Sequence, residues 1–131
     1  MDVKEFIENI VKIDLIESEN TYGHYPFQLF VETSDGSLEM NALMLGGDVL
    51  SCYRRVREYV REDAKEIYLS LDFPKGKDMV NDFVCIFTIK EGICDIFAIP
   101  YDPETGKTFD IITKSILLDE ILDNFKHIVL K

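Results

Sequence analysis

Two turn dipeptides constrain this chain most: Asp35-Gly36 and Glu91-Gly92 each interrupt a stretch in which apolar residues recur at every second position. A strand sends alternate side chains to opposite faces, so alternation on both sides of a tight turn describes a β-hairpin with one face built for burial. Around the first turn, residues 25–34 and 37–45 are the expected strands. A two-residue turn there sets Val31 opposite Met40, Leu29 opposite Ala42 and Phe27 opposite Met44. All three pairs are apolar, and a slip of one residue would carry each residue of a strand to the other face. The same register sets Glu32 opposite Glu39, a mildly unfavourable pair of like charges that calls for a cation nearby.

The second hairpin runs over residues 82–102. One of its faces is wholly apolar: Phe83, Cys85, Phe87, Ile89, Cys94, Ile96 and Ala98. The other mixes Val84, Ile86, Phe97, Ile99 and Tyr101 with Thr88, Lys90 and Asp95. Either a helix covers that mixed face, or it is an oligomer or partner surface with Val84, Ile86, Phe97 and Ile99 as contact residues.

Helical spacing appears in three places. Val3, Phe6, Ile7, Ile10, Val11 and Ile13 fill one arc of a helix over residues 3–16, with Asp2 as cap and Glu5 at capping-box spacing. After Gly46-Gly47, Asp48 caps a helix expected to run to about Asp63, with Val49, Cys52, Tyr53, Val56, Tyr59 and Val60 inward. The last, residues 115–130, buries Leu117, Leu118, Ile121, Leu122, Phe125, Ile128 and Val129. A strand with Ile67, Leu69, Leu71 and Phe73 on one side, and a short one near 108–112 after the turn-rich run 102–106, complete the elements.

The expected fold is α+β: one domain over residues 1–131, with an antiparallel-rich mixed sheet of about five or six strands and helices packed mainly on one face. The element order is α-β-β-α-β-β-β-(β)-α. The helix after the first hairpin is a crossover that would leave strands 2 and 3 parallel. A hydrophobic content of 47% and a charged content of 30% suit a globular domain. Without a long apolar stretch or a basic, apolar leader, the expectation is a cytoplasmic protein with no membrane association.

Charge then narrows the function classes. Twenty-five acidic against 14 basic residues give a net charge of −11, which opposes nucleic-acid binding and suits a basic protein partner. All four arginines, Arg54, Arg55, Arg57 and Arg61, nonetheless fall within one helix. Arg54, Arg57 and Arg61 share one flank, Arg55 faces elsewhere, and Glu58 is spaced to neutralise part of the stripe. Their planar forks suit carboxylate or phosphate, and equally suit a solvated face with surface ion pairs.

Other chemistry is thinner. Asp72, Asp78, Asn81 and Asp82 offer oxygen to a hard cation, but without EF-hand spacing and with Lys75 and Lys77 among them. A carboxylate pair such as Glu32 and Glu39 can cleave glycosides only within a cleft that the sequence does not demonstrate. His24 and His127 have no partner at metal-ligand spacing. Cys52, Cys85 and Cys94 are an odd set without C-x-x-C spacing, all on apolar arcs. No nucleotide, dinucleotide, serine-hydrolase or zincin motif occurs, and no cofactor or metal is implied.

Small acidic domains of this element mix include secretion chaperones and immunity proteins, a likeness of size, charge and class that transfers no residue. The expectation is a non-enzymatic, chaperone-like or immunity-like binding or accessory domain that meets a protein partner, with a homodimer left open. The alternative is a small-molecule or anion-binding protein, or an enzyme, whose site is lined by Arg54, Arg57 and Arg61, with Tyr68 or Tyr101 on its rim.

Overall fold

A computed structural model describes residues 3–8, 28–42, 49–60, 64–73, 82–102, 104–105 and 107–130. The elements in chain order are α1 (Val3–Phe6), β1 (Gln28–Thr33), β2 (Leu38–Ala42), α2 (Val49–Arg57), β3 (Ala64–Phe73), β4 (Asp82–Lys90), β5 (Ile93–Tyr101) and α3 (Ile116–Val129). The fold is α+β, as the alternation of hairpins and amphipathic segments predicts.

The five strands form one sheet in the order β2-β1-β3-β4-β5, and every neighbouring pair is antiparallel. The sheet is therefore not mixed. β2 and β3 do run parallel to each other, but they lie on opposite sides of β1, and α2 connects them across it. Residues 107–112 do not form a further full strand. They run along the outer edge of β5, where Ala98 and Ile112 exchange two backbone hydrogen bonds of 2.9 Å, and Tyr101 bridges Thr108. This strap satisfies part of an edge that would otherwise present unpaired donors.

The β4–β5 hairpin has the expected two-residue turn, with Lys90 opposite Ile93. Glu91 and Gly92 hold φ of 53° and 76°, the two positive values that a type I′ turn requires. The first hairpin departs from expectation. Its loop has three residues, Ser34, Asp35 and Gly36, closed by Thr33 N–H donating to Ser37 O (2.8 Å) and Gly36 N–H donating to Thr33 O (3.0 Å). Gly36 takes φ +89°, and the Asp35 carboxylate accepts from Thr33 Oγ1 and from Ser37 N–H. The extra loop residue moves the register by one: Val31 faces Glu39, Phe30 faces Met40 and Gln28 faces Ala42. Glu32 and Glu39 are thus not opposite each other.

That slip is permitted because both faces of the sheet are apolar. On one face, Leu29, Val31, Ile67, Leu69, Leu71, Phe83, Cys85, Phe87, Ile89 and Ile96 pack with Cys52, Tyr53 and Val56 of α2 and Leu118, Phe125 and Val129 of α3. Phe87 stacks on Phe125 at 4.3 Å, and Tyr53 meets both rings edge-on at 5.6 and 5.1 Å. On the other face, Phe30, Tyr68, Val84, Ile86, Ile99 and Tyr101 are buried together with Phe6 and Ile7. Phe6 stacks on Tyr68 at 4.8 Å and meets Phe30 edge-on at 5.1 Å. With both faces of the sheet apolar, alternation alone does not select the register.

Of the described helices, α2 and α3 lie on the first face. α3 keeps its expected span, with Ser115 Oγ accepting from Leu118 N–H at 3.0 Å as N-cap. α2 is shorter than expected. Beyond Arg57 the chain tightens into bonds from Glu58 to Arg55, Tyr59 to Val56 and Val60 to Arg57, the closing turn common at helix ends. Val60, expected inward, is left 43% exposed. The expected first helix extends beyond the described residues from position 9 onward.

Candidate functional site

The arginine flank was the leading candidate for an anion site, and the structure divides it. Arg54 and Arg55 are exposed. Arg57 is engaged: its Nε donates to the backbone carbonyl of Ile128 at 2.9 Å, and Nη2 donates to the same oxygen. Ile128 lies in the last turn of α3, where carbonyls have no intrahelical partner and the helix dipole favours a cation. Arg57 therefore caps α3 and ties it to α2. Arg61 lies outside the described residues, and among those described no ion pair joins Arg54 to Glu58. Sequence reading placed Arg57 on the correct flank but had no means of seeing the carbonyl, which lies 71 positions away along the chain.

The contact surface expected at Val84, Ile86, Phe97 and Ile99 is not exposed. Val84, Ile86 and Ile99 have no accessible surface, and Phe97 is half-buried against the same cluster. The physical reason is the N-terminal segment: Phe6 and Ile7, themselves 0% and 1% exposed, are packed into that face. Tyr68 and Tyr101, expected on the rim of an anion pocket, are equally buried there.

The remaining candidates separate in the same way. Glu32 is mostly buried, registers with Glu66 of β3, and has the Lys65 ammonium 3.9 Å away, so the cation expected near it is present although its like-charged neighbour is on β3. The loop 74–81 and His24 lie outside the described residues, and His127 is exposed on α3. No group of three metal-ligating side chains occurs among the described residues. All three cysteines are free and buried. Burial pushes the Cys52 thiol up to about 12, against a smaller opposing pull from Arg55, and it also raises Cys85 and Cys94. Such thiols are poor nucleophiles.

What sequence reading did not find is an open hollow of about 200 Å³ at the turn end of the β4–β5 hairpin, lined by Val60, Ala64, Ile67, Ile89, Glu91 and Gly92. It lies where α2 stops short. Its lining joins the residues after α2 to β3 and the β4–β5 turn, segments that meet only in the fold. Along the outer edge of β5, the strap and the start of α3 expose Phe109, Ile111 and Ile116 by 42, 43 and 82%. The Lys107 ammonium stands 5.8 Å from the Phe109 ring centroid.

No helix among the described residues is long and apolar enough to cross a membrane. No family model matches the chain, and no curated protein or solved structure matches it either.

Proposed function

We propose that this protein is a cytoplasmic binding or accessory domain, without catalysis of its own, that acts by contact with a basic protein partner. The observation that carries this reading is apolar surface set in an acidic molecule. Phe109, Ile111 and Ile116 are exposed within eight positions of one another, on a chain of net charge −11. Isolated exposed apolar residues need no explanation, but three within one short segment concentrate apolar surface there. Exposed Asp110, Asp119 and Glu120 border it in sequence together with exposed Lys107 and Lys114, so the acidity that acts here is that of the whole chain. Such a surface attracts a cationic partner over long range and holds it by apolar contact. Mutual repulsion between two copies of so acidic a chain favours a different protein over a homodimer.

The Arg-lined anion site is the weaker reading, because Arg57 already has a structural partner. A photo-crosslinking residue placed at Ile116, and at Leu38 on the far edge strand as an exposed control, separates the two. The protein-contact reading expects one recurrent basic protein to be crosslinked from Ile116 and not from Leu38, with a yield that falls as salt rises. Crosslinking no greater than the control, together with thermal stabilisation by a phosphorylated or carboxylated metabolite, would replace it with the anion-site reading.

A further inference from the structure

We infer that the hollow beside the Glu91-Gly92 turn is a docking slot for one large apolar side chain of a basic partner segment, with a neighbouring cation of that segment on Glu91; this rests on the protein-contact reading. The floor is apolar, since Ile67 and Ile89 belong to the main core and Ala64 packs against it. Val60, 43% exposed, forms one wall, and Gly92 presents no side chain, with open space where a Cβ would stand. About 200 Å³ is below the roughly 300–1,000 Å³ of typical small-molecule pockets, and matches a single aliphatic or aromatic side chain.

Glu91 supplies the second, independent observation. It is the single described non-glycine residue with positive φ, at 53°. The first central position of a type I′ turn favours Asn, Asp or Gly, and a left-handed conformation is disfavoured for an ordinary side chain. A carboxylate is thus held at the mouth of an apolar slot in a conformation that asparagine would adopt more easily. The adjacent cation, Lys90, stands opposite Glu66 in the β3–β4 ladder. With a net charge of −11 over the whole chain, the occupant that complements this site is apolar at its anchor and cationic beside it.

The test titrates the isotope-labelled protein with three blocked tripeptides: lysyl-leucyl-arginine, lysyl-glycyl-arginine and glutamyl-leucyl-glutamate. The readout is the methyl signals of Ile67 and Ile89 and the amide of Gly92. Shifts are expected with the first peptide and centred on these residues, with about tenfold weaker binding when the leucine anchor is absent. Glu91→Asn should weaken the first peptide about threefold while raising the melting temperature, because Asn suits the turn better. Ala64→Leu should fill the slot and abolish the shifts. Equal binding of the glycine peptide, wild-type affinity in Glu91→Asn, or shifts spread over the whole acidic surface would overturn the slot. None of these would disturb the crosslinking result from Ile116, so the slot and the protein-contact reading fail separately.

Discussion

Replacing Phe6 by alanine tests whether the N-terminal helix seals the second face of the sheet. Phe6 has no accessible surface and contacts two further buried rings. A phenylalanine buries about 150–200 Å² on folding, which at about 25 cal/mol per Å² corresponds to about 4 kcal/mol. The stacked contact with Tyr68 and the edge contact with Phe30 add about 0.5–1.5 kcal/mol each beyond area. The methyl group that remains, and relaxation around the cavity, offset part of this, so the expected loss is about 3–5 kcal/mol. Since a domain of this size is stable by only about 5–15 kcal/mol, the alanine variant is expected to be marginal. Phe6→Leu retains most of the volume and should lose about 1–1.5 kcal/mol.

Urea unfolding followed by far-ultraviolet circular dichroism measures both variants, since the chain contains no tryptophan for fluorescence. If the alanine variant releases α1, its native state already exposes Val84, Ile86 and Ile99, and the denaturant slope falls along with the midpoint. A loss under about 1 kcal/mol with an unchanged slope would refute the reasoning. It would mean that something other than Phe6 covers this face.

Arg57→Ala should lower stability by about 0.5–1.5 kcal/mol through loss of the α3 cap, while Arg54→Ala should change it negligibly; equal melting temperatures for the two variants would contradict the capping role. Gly92→Ala should cost about 1–2 kcal/mol from its φ of +76° alone, because its new methyl meets nothing within 4 Å, and a neutral result in thermal melts would show that the turn relaxes. The buried thiols should resist alkylation at pH 8 in the native state and react fully in urea. Because folding raises their pKa, their contribution to stability is complete below the ordinary thiol value of 9.0 and is lost as pH rises towards about 12, as for Cys52. A urea midpoint that stays flat between pH 8 and pH 11 would oppose this.

Particular residues show which features were legible beforehand. Phe83, Cys85, Phe87, Ile89, Cys94, Ile96 and Ala98 alternate around a two-residue turn, and all of them are in the main core. Leu118, Phe125 and Val129 repeat at helical spacing behind a serine cap, and they pack on that same face. Arg57 shows the limit. Its flank follows from helical geometry, but its partner is a backbone carbonyl in an element far away in sequence. Val84 and Ile86 show another: an apolar mixed face reads identically whether a helix covers it or a partner does. The hollow at Glu91 was invisible because its lining residues come from three segments that meet only in the fold.

By itself, then, the amino-acid order determined the kind and sequence of the elements, the β4–β5 hairpin with its turn, and which arcs are apolar; the caps expected at Asp2 and Asp48 lie outside the described residues. Such features depend on dihedral preferences and periodicity among residues near one another in the chain. Only the tertiary structure decided that β1 lies between β2 and β3, that β2 is set one residue from its expected register, that Phe6 and Ile7 pack into the second face, and that Arg57 caps α3. Those outcomes depend on which surfaces meet. Once both sides of a sheet are apolar, alternation no longer distinguishes them, and the choice passes to packing between distant segments.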